Sequence, residues 1–171
     1  MEFERSFTHF FEECERGFIN EVIVNLYTKI KPPGSTVISY QSIVKELYFI
    51  RSGMVEVFNN ENDEIEKEKV ILYLPKYAYF GEYQIMLDLK ANMEYKCMST
   101  RDIKDPKSKN VPDIIFMCLS AKKFTDLCDL FPQTAENIRV RAHMRRRKFL
   151  DQKNTNSKAF IRKLEEKEFQ L

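Results

Sequence analysis

Leu47-Tyr48-Phe49-Ile50-Arg51-Ser52-Gly53-Met54-Val55-Glu56-Val57-Phe58 is two short runs of aromatic and β-branched residues joined at a serine-glycine turn. Runs of this length and chemistry, closed by turn residues, make strands rather than helices. The same pattern repeats outward in both directions. Thr36 to Tyr40, Glu46 to Arg51, Met54 to Phe58, Lys69 to Leu74, Tyr77 to Phe80, Met93 to Met98 and Ile114 to Leu119 all read as strands. Many short strands separated by Gly, Pro and Asn turns predict a jelly-roll β-roll of about eight strands, running from near residue 28 to residue 119. Pro32-Pro33-Gly34 opens the strand region. The acidic stretch Asn59 to Lys67 reads as a solvated hairpin tip, and residues 99–113 as a longer loop.

The two ends of the chain have a different period. Phe3, Phe7, Phe10, Phe11 and Cys14 recur at helical spacing, and Phe18, Ile19, Val22, Ile23 and Leu26 repeat it after Gly17, so two short helices are expected before the roll. Beyond it, Phe124, Leu127, Cys128 and Phe131 share one helical face, with Ser120 placed to cap the N-terminus. Pro132 suits the first turn of a further helix, and no Gly or Pro follows from Gln133 to Leu171. Asn154 to Ser157 is expected to interrupt that helix, after which Phe160, Ile161 and Leu164 form a narrow apolar stripe in want of a partner. The expected class is α+β: a jelly roll flanked by N-terminal helices and two C-terminal helices, with residues 1–150 as the domain and 151–171 as a basic helical extension.

Chemistry is bounded by what the chain contains. Its 171 residues suit one domain, and 14 Phe with 8 Tyr give ample core material. No apolar run approaches the roughly 20 residues that cross a bilayer. Cys14, Cys97, Cys118 and Cys128 form no C-x-x-C pair and mostly sit in apolar surroundings, so a reducing, cytoplasmic compartment is expected. Only His9 and His143 are present, which leaves little for a transition-metal site or a nucleophilic triad; no metal, cofactor or catalytic residue is expected. Residues 1–138 hold 17 Lys and Arg against 22 Asp and Glu, net −5, whereas residues 139–171 hold 11 against 4, net +7. An acidic body thus carries a basic tail, suited by charge to nucleic acid, an anionic membrane face, an acidic partner or simply a solvated helix face.

Three of the four glycines lie in Pro33-Gly34, in the quoted stretch, and in Tyr79-Phe80-Gly81-Glu82. The LYFI-x-x-G-x-V-x-VF string followed by FGE resembles the cyclic nucleotide-binding domain family, over roughly Phe7 to Leu150. That resemblance implies a β-roll in which the FGE segment enters a short helix cradling a cyclic phosphate. A glycine lets backbone approach the anion, helix-start N–H groups point at it, and the neighbouring carboxylate accepts a ribose hydroxyl proton. Phe80, Gly81, Glu82, Tyr83 and Gln84 occupy those family positions. Nucleotide-binding members then place an Arg on the phosphate and a small or hydroxyl residue after it. Here Ala91 and Asn92 stand there, with Lys90 one residue early. A lysine is a point charge and cannot reproduce the bidentate fork. Loss of one charge-assisted hydrogen bond, about 1.5–3 kcal/mol, weakens binding roughly 10- to 100-fold.

The helix after Phe131-Pro132 in this family folds over the purine, which puts Met144, Arg145 and Lys148 at lid positions. Among relatives, the sequence looks most like the C-terminal cytoplasmic domains of potassium channels of the cyclic-nucleotide-gated/ether-à-go-go type, of the kind ciliates carry. The resemblance therefore implies a regulatory module, not an enzyme, binding cAMP or cGMP weakly if at all between Glu82 and the last helix. The alternative is a degenerate domain of the same fold serving as an interaction or assembly piece. Expected partners are a cyclic nucleotide, a channel pore domain if the chain is a fragment, and a protein or second copy at the C-terminal helices. Nucleic acid is not expected, because about 20 residues after Leu150 are too few for a helix-turn-helix.

Overall fold

Strand β3, Glu46–Ser52, carries large apolar side chains on both faces, and this places it between two cores. Successive strand residues point to opposite sides. Tyr48 and Ile50 enter one buried cluster, inside the roll, while Leu47 and Phe49 enter the other, beneath the helices. The structure, a computed structural model, describes residues 2–59, 70–99 and 111–168, with the last helix's side chains described as far as Asn154. The expected hairpin tip apart from Asn59, which is buried rather than solvated, and most of the expected 99–113 loop lie outside the described residues, as do the side chains of Phe160, Ile161 and Leu164.

The described elements run α1 (Glu2–Ser6), α2 (Thr8–Phe11), α3 (Arg16–Asn25), β1 (Tyr27–Lys31), β2 (Thr36–Ile38), β3, β4 (Val55–Phe58), β5 (Val70–Leu74), β6 (Tyr79–Phe80), α4 (Glu82–Met86), β7 (Glu94–Cys97), β8 (Ile114–Ser120), α5 (Ala121–Leu130) and α6 (Pro132–Glu168). The strands form two antiparallel four-stranded sheets, in the orders β1-β8-β3-β6 and β2-β7-β4-β5. This is the expected α+β jelly roll. β1, missing from the seven runs read in the sequence, pairs with β8 from Tyr27↔Cys118 to Lys31↔Ile114. Its signal is weak because it is an edge strand whose polar Thr28, Lys29 and Lys31 outnumber the apolar residues, and Ile30 is itself exposed.

Phenylalanines of the opening helices gather on Phe49: the rings of Phe3, Phe7, Phe10 and Phe11 lie 5.0–6.2 Å from it. The helix expected over Phe3 to Cys14 breaks at Phe7, so three short helices open the chain instead of two. The break turns both Phe3 and Phe7 onto Phe49. Ser120 caps α5, its hydroxyl accepting from the Lys123 N–H at 3.1 Å. α6 runs without interruption through Asn154 to Ser157, contrary to the break expected there. Asn, Thr and Ser cost only tenths of a kcal/mol each within a helix, and neither Gly nor Pro is present to stop it. All four cysteines are free.

Candidate functional site

The site begins at a backbone bend. Gly81 has φ +94°, and a Cβ there would stand 2.7 Å from the Glu46 carbonyl oxygen and 3.3 Å from Val44 Cγ1. Only glycine combines a left-handed backbone with so close an approach to β3. The bend ends β6 and starts α4, aiming Glu82 inward, where it is 2 % exposed.

α6 closes over this turn. Its inward residues are Ile138, Ala142, Arg145 and Phe149, a helical face of 3- and 4-residue steps, all buried but Arg145, which is partly so. Arg145 Nη1 lies 3.0 Å from Glu82 Oε1, Nη2 donates to the Tyr79 carbonyl at 2.7 Å, and the guanidinium sits 3.7 Å over the Tyr79 ring. The Glu82–Arg145 contact is one of charge, since neither carboxylate oxygen has an aligned hydrogen bond. Burial pushes the Glu82 carboxyl above its ordinary pKa, with Arg145 and the backbone N–H groups of Glu82 and Tyr83 opposing. At Arg145 burial works against the charge, yet Glu82 and Tyr79 outweigh it and hold the guanidinium above its ordinary value. Both partners shift upward, so the carboxylate loses more hydration than a single poorly aligned cation returns.

One turn on, the Phe149 ring packs 5.7 Å from Tyr83 and 6.5 Å from Tyr95. Phe80 is stacked between Tyr48 and Tyr95 at 4.9 and 5.1 Å, deep in the roll. The Tyr83 hydroxyl, its pKa pushed up to about 12 chiefly by burial, donates to Asn92 Oδ1 at 3.3 Å. Gln84 Nε2 donates to the Tyr95 hydroxyl at 3.1 Å, and Gln84 Oε1, also buried, has no hydrogen-bond partner.

Of the residues singled out in the sequence, Phe80, Gly81, Glu82, Tyr83, Gln84, Asn92 and Arg145 come together. Lys90 does not join them: it is exposed, bridges Ile43 through its backbone, and lines a separate hollow with Gln84 and Lys122. Met144 and Lys148 face outward, leaving Arg145 as the one expected lid residue that points in. Phe149, Tyr79 and Tyr95 were not anticipated at the site. The 142/145/149 spacing held a signal for Phe149, masked by the four cations that precede it. Among the described residues, no group of three His, Cys, Asp or Glu is gathered to hold a metal ion, and no helix is long and apolar enough to cross a membrane.

Two four-stranded sheets, a glycine bend into α4 and a returning last helix constitute the jelly-roll fold of the cyclic nucleotide-binding domains. Its sequence relatives are ion channels. The chain is similar to Potassium channel SKOR of Arabidopsis thaliana, 28 % identical over 79 residues that make up 46 % of this chain and 9 % of that one. It is similar to Cyclic nucleotide-gated channel alpha-4 of Mus musculus, 28 % identical over 123 residues, or 72 % and 19 % of the two chains. Among solved structures, the C-linker/CNBHD of zELK channels crystallized in the presence of cAMP superposes with a TM-score of 0.61 at 19 % identity, over 79 % of this chain and 60 % of that one. The chain spans less than a fifth of the length of the two channels. No family model matches it.

Proposed function

We propose that the chain is a regulatory module that senses cAMP or cGMP on the cytoplasmic side of an ion channel, with an affinity kept low by its own last helix. The observation that carries this reading is the closure of α6 on the turn: Arg145 stands on Glu82, and Phe149 covers Tyr83 and Tyr95. An entering nucleotide would set its ribose hydroxyl on Glu82 and its phosphate against the backbone of Gly81, Tyr83 and Gln84, with Asn92 beside it. Arg145 and Phe149 must first give way. Re-exposing a phenylalanine costs about 1.5–3 kcal/mol. The charge-assisted hydrogen bond absent at Ala91 removes about as much again. Together these lower affinity roughly a hundred- to ten-thousand-fold. In exchange, any binding has to displace α6, and movement of that helix is what a pore or partner would read.

A second reading has its own support. Phe80, Tyr48, Tyr95 and Phe149 fill the roll with aromatic rings, and Ala91 is 1 % exposed, as in a domain that has replaced its ligand with side chains. Such a domain would act through assembly, its basic residues 139–171 meeting an acidic protein, a pore domain or a second copy. Catalysis has little support under either reading, because Glu82 faces Arg145 and Tyr79 rather than a second acid. Titration calorimetry with cAMP and cGMP separates the two. The sensing reading expects weak saturable binding that Glu82→Gln abolishes and Phe149→Ala strengthens. No heat from either nucleotide, with wild type or Phe149→Ala, leaves the assembly reading.

A further inference from the structure

Beside the Arg145–Tyr79 contact lies a cavity of about 460 Å³. α6 lines it with Arg141, Met144, Arg145, Lys148 and Phe149, and Tyr77, Tyr79, His9 and Glu12 complete the lining. Its volume falls in the range of small-molecule sites. Arg141 and Lys148 are seven residues apart, two helical turns or about 10 Å, and flank Met144 on one face. Among the described residues neither cation makes an ion pair. Arg141 Nη1 donates to the His9 carbonyl, Nη2 reaches Cys14 Sγ at 3.8 Å, and Nε is buried with no partner. Between these cations the surface is apolar and open, with Met144 58 % and Tyr77 47 % exposed. Glu12 is the single carboxylate lining the cavity.

We infer that this groove binds a small organic anion, its acidic group held by Lys148 and its flat apolar body laid on Met144 and Tyr77, with Arg141 adding positive charge at the far end. Two cations without ion pairs would alone be served by water, and an exposed methionine alone would be a surface accident. Together they complement a molecule that is charged at one end and apolar at the other. Methionine adapts its shape to a ring or chain, and the cations fix which end sits where. The cavity shares Arg145, Tyr79 and Phe149 with the closure over the turn, but Arg141, Lys148, Met144 and Tyr77, to which the anion is assigned, are not among the residues proposed to hold a nucleotide, so either assignment can fail without the other.

The test is fluorescence titration of the whole chain with anilinonaphthalene sulfonate, alongside uncharged phenylnaphthylamine and inorganic phosphate. One saturable sulfonate site is expected, weakened tenfold or more by Arg141→Gln with Lys148→Gln and at least threefold by Met144→Ser. Lys148→Glu, which leaves the Arg141–His9 contact in place, should weaken it by tenfold or more with an unchanged melting temperature. Phenylnaphthylamine should bind far more weakly, and millimolar phosphate should not displace the probe. Sulfonate binding unaffected by Lys148→Glu, equal binding of the uncharged probe, displacement by phosphate alone, or a signal that appears only as the chain unfolds would each overturn the assignment.

Discussion

Arg145 and Glu82 meet at 3.0 Å across the junction of the last helix and the glycine turn, and this contact joins two elements 63 positions apart. Arg145 also holds the Tyr79 carbonyl and covers its ring, so the guanidinium stays in place by contacts that do not involve Glu82. Glu82 has no comparable reserve, because its carboxylate oxygens lack aligned hydrogen bonds.

Arg145→Met should therefore destabilise the chain through the carboxylate left behind. Breaking a buried pair costs about 3–5 kcal/mol, less here because the Arg145 side chain is 21 % exposed. The sign with pH follows from burial, which already raises the Glu82 pKa and raises it further without the cation. A carboxyl with a raised folded-state pKa is neutral in both states below its unfolded value near 4.5 and costs stability as pH climbs through the folded value. Thermal melts from pH 4 to 8 should show the Arg145→Met deficit small at the acid end and growing toward neutrality. Glu82→Gln with Arg145→Met should recover most of the loss. A deficit independent of pH would mean that Arg145 stabilises through Tyr79 alone.

Phe149→Ala separates packing from gating. Truncating a buried phenylalanine costs about 3–5 kcal/mol, so a lower melting temperature is expected. If α6 holds the pocket shut, the same variant should bind cAMP or cGMP more tightly than wild type, because the cost of moving the ring is gone. A lower melting temperature without tighter binding would show Phe149 to be core and nothing more.

How far these elements could be read in the sequence depended on how local their causes were. The β3–β4 stretch carries its turn and its alternation within a dozen residues, and the Phe3 to Phe11 spacing states its buried face directly. β1 was obscured because an edge strand needs few apolar residues, and its partner β8 lies almost ninety positions away. At the site, Gly81 and Glu82 were legible from the motif. The pairing of Glu82 with Arg145 was not, because nothing local distinguishes Arg145 from Arg146 and Arg147. Rotation about the helix axis, fixed by the packing of Ile138, Ala142 and Phe149, chooses which of them turns inward.

Gly81→Ala tests the bend. The added methyl would lie 2.7 Å from a backbone oxygen at a positive φ, so neither a rotamer change nor a small shift relieves it. A left-handed backbone costs a non-glycine residue on the order of 1–2 kcal/mol, and the clash with Glu46 adds to this. A drop of several degrees in melting temperature is expected. An unchanged melting temperature would mean that α4 can start without this geometry.

Ala91→Arg addresses the charge that the turn lacks. Ala91 is 1 % exposed, its N–H donates to the Ser42 carbonyl, and its own carbonyl accepts from the Gln41 N–H, so the backbone is pinned and only the side chain can adapt. An arginine there has to displace packed neighbours in the unliganded chain, where overpacking costs about 1–3 kcal/mol, and its melting temperature should fall. With nucleotide present, the same guanidinium gains a phosphate to fork onto, worth about 1.5–3 kcal/mol. The two effects predict opposite changes in one protein: a less stable free form and an affinity for cAMP or cGMP raised roughly 10- to 100-fold. Melting curves with and without nucleotide, together with calorimetry, measure both. Loss of stability with no gain in affinity would show that the phosphate does not sit against this turn.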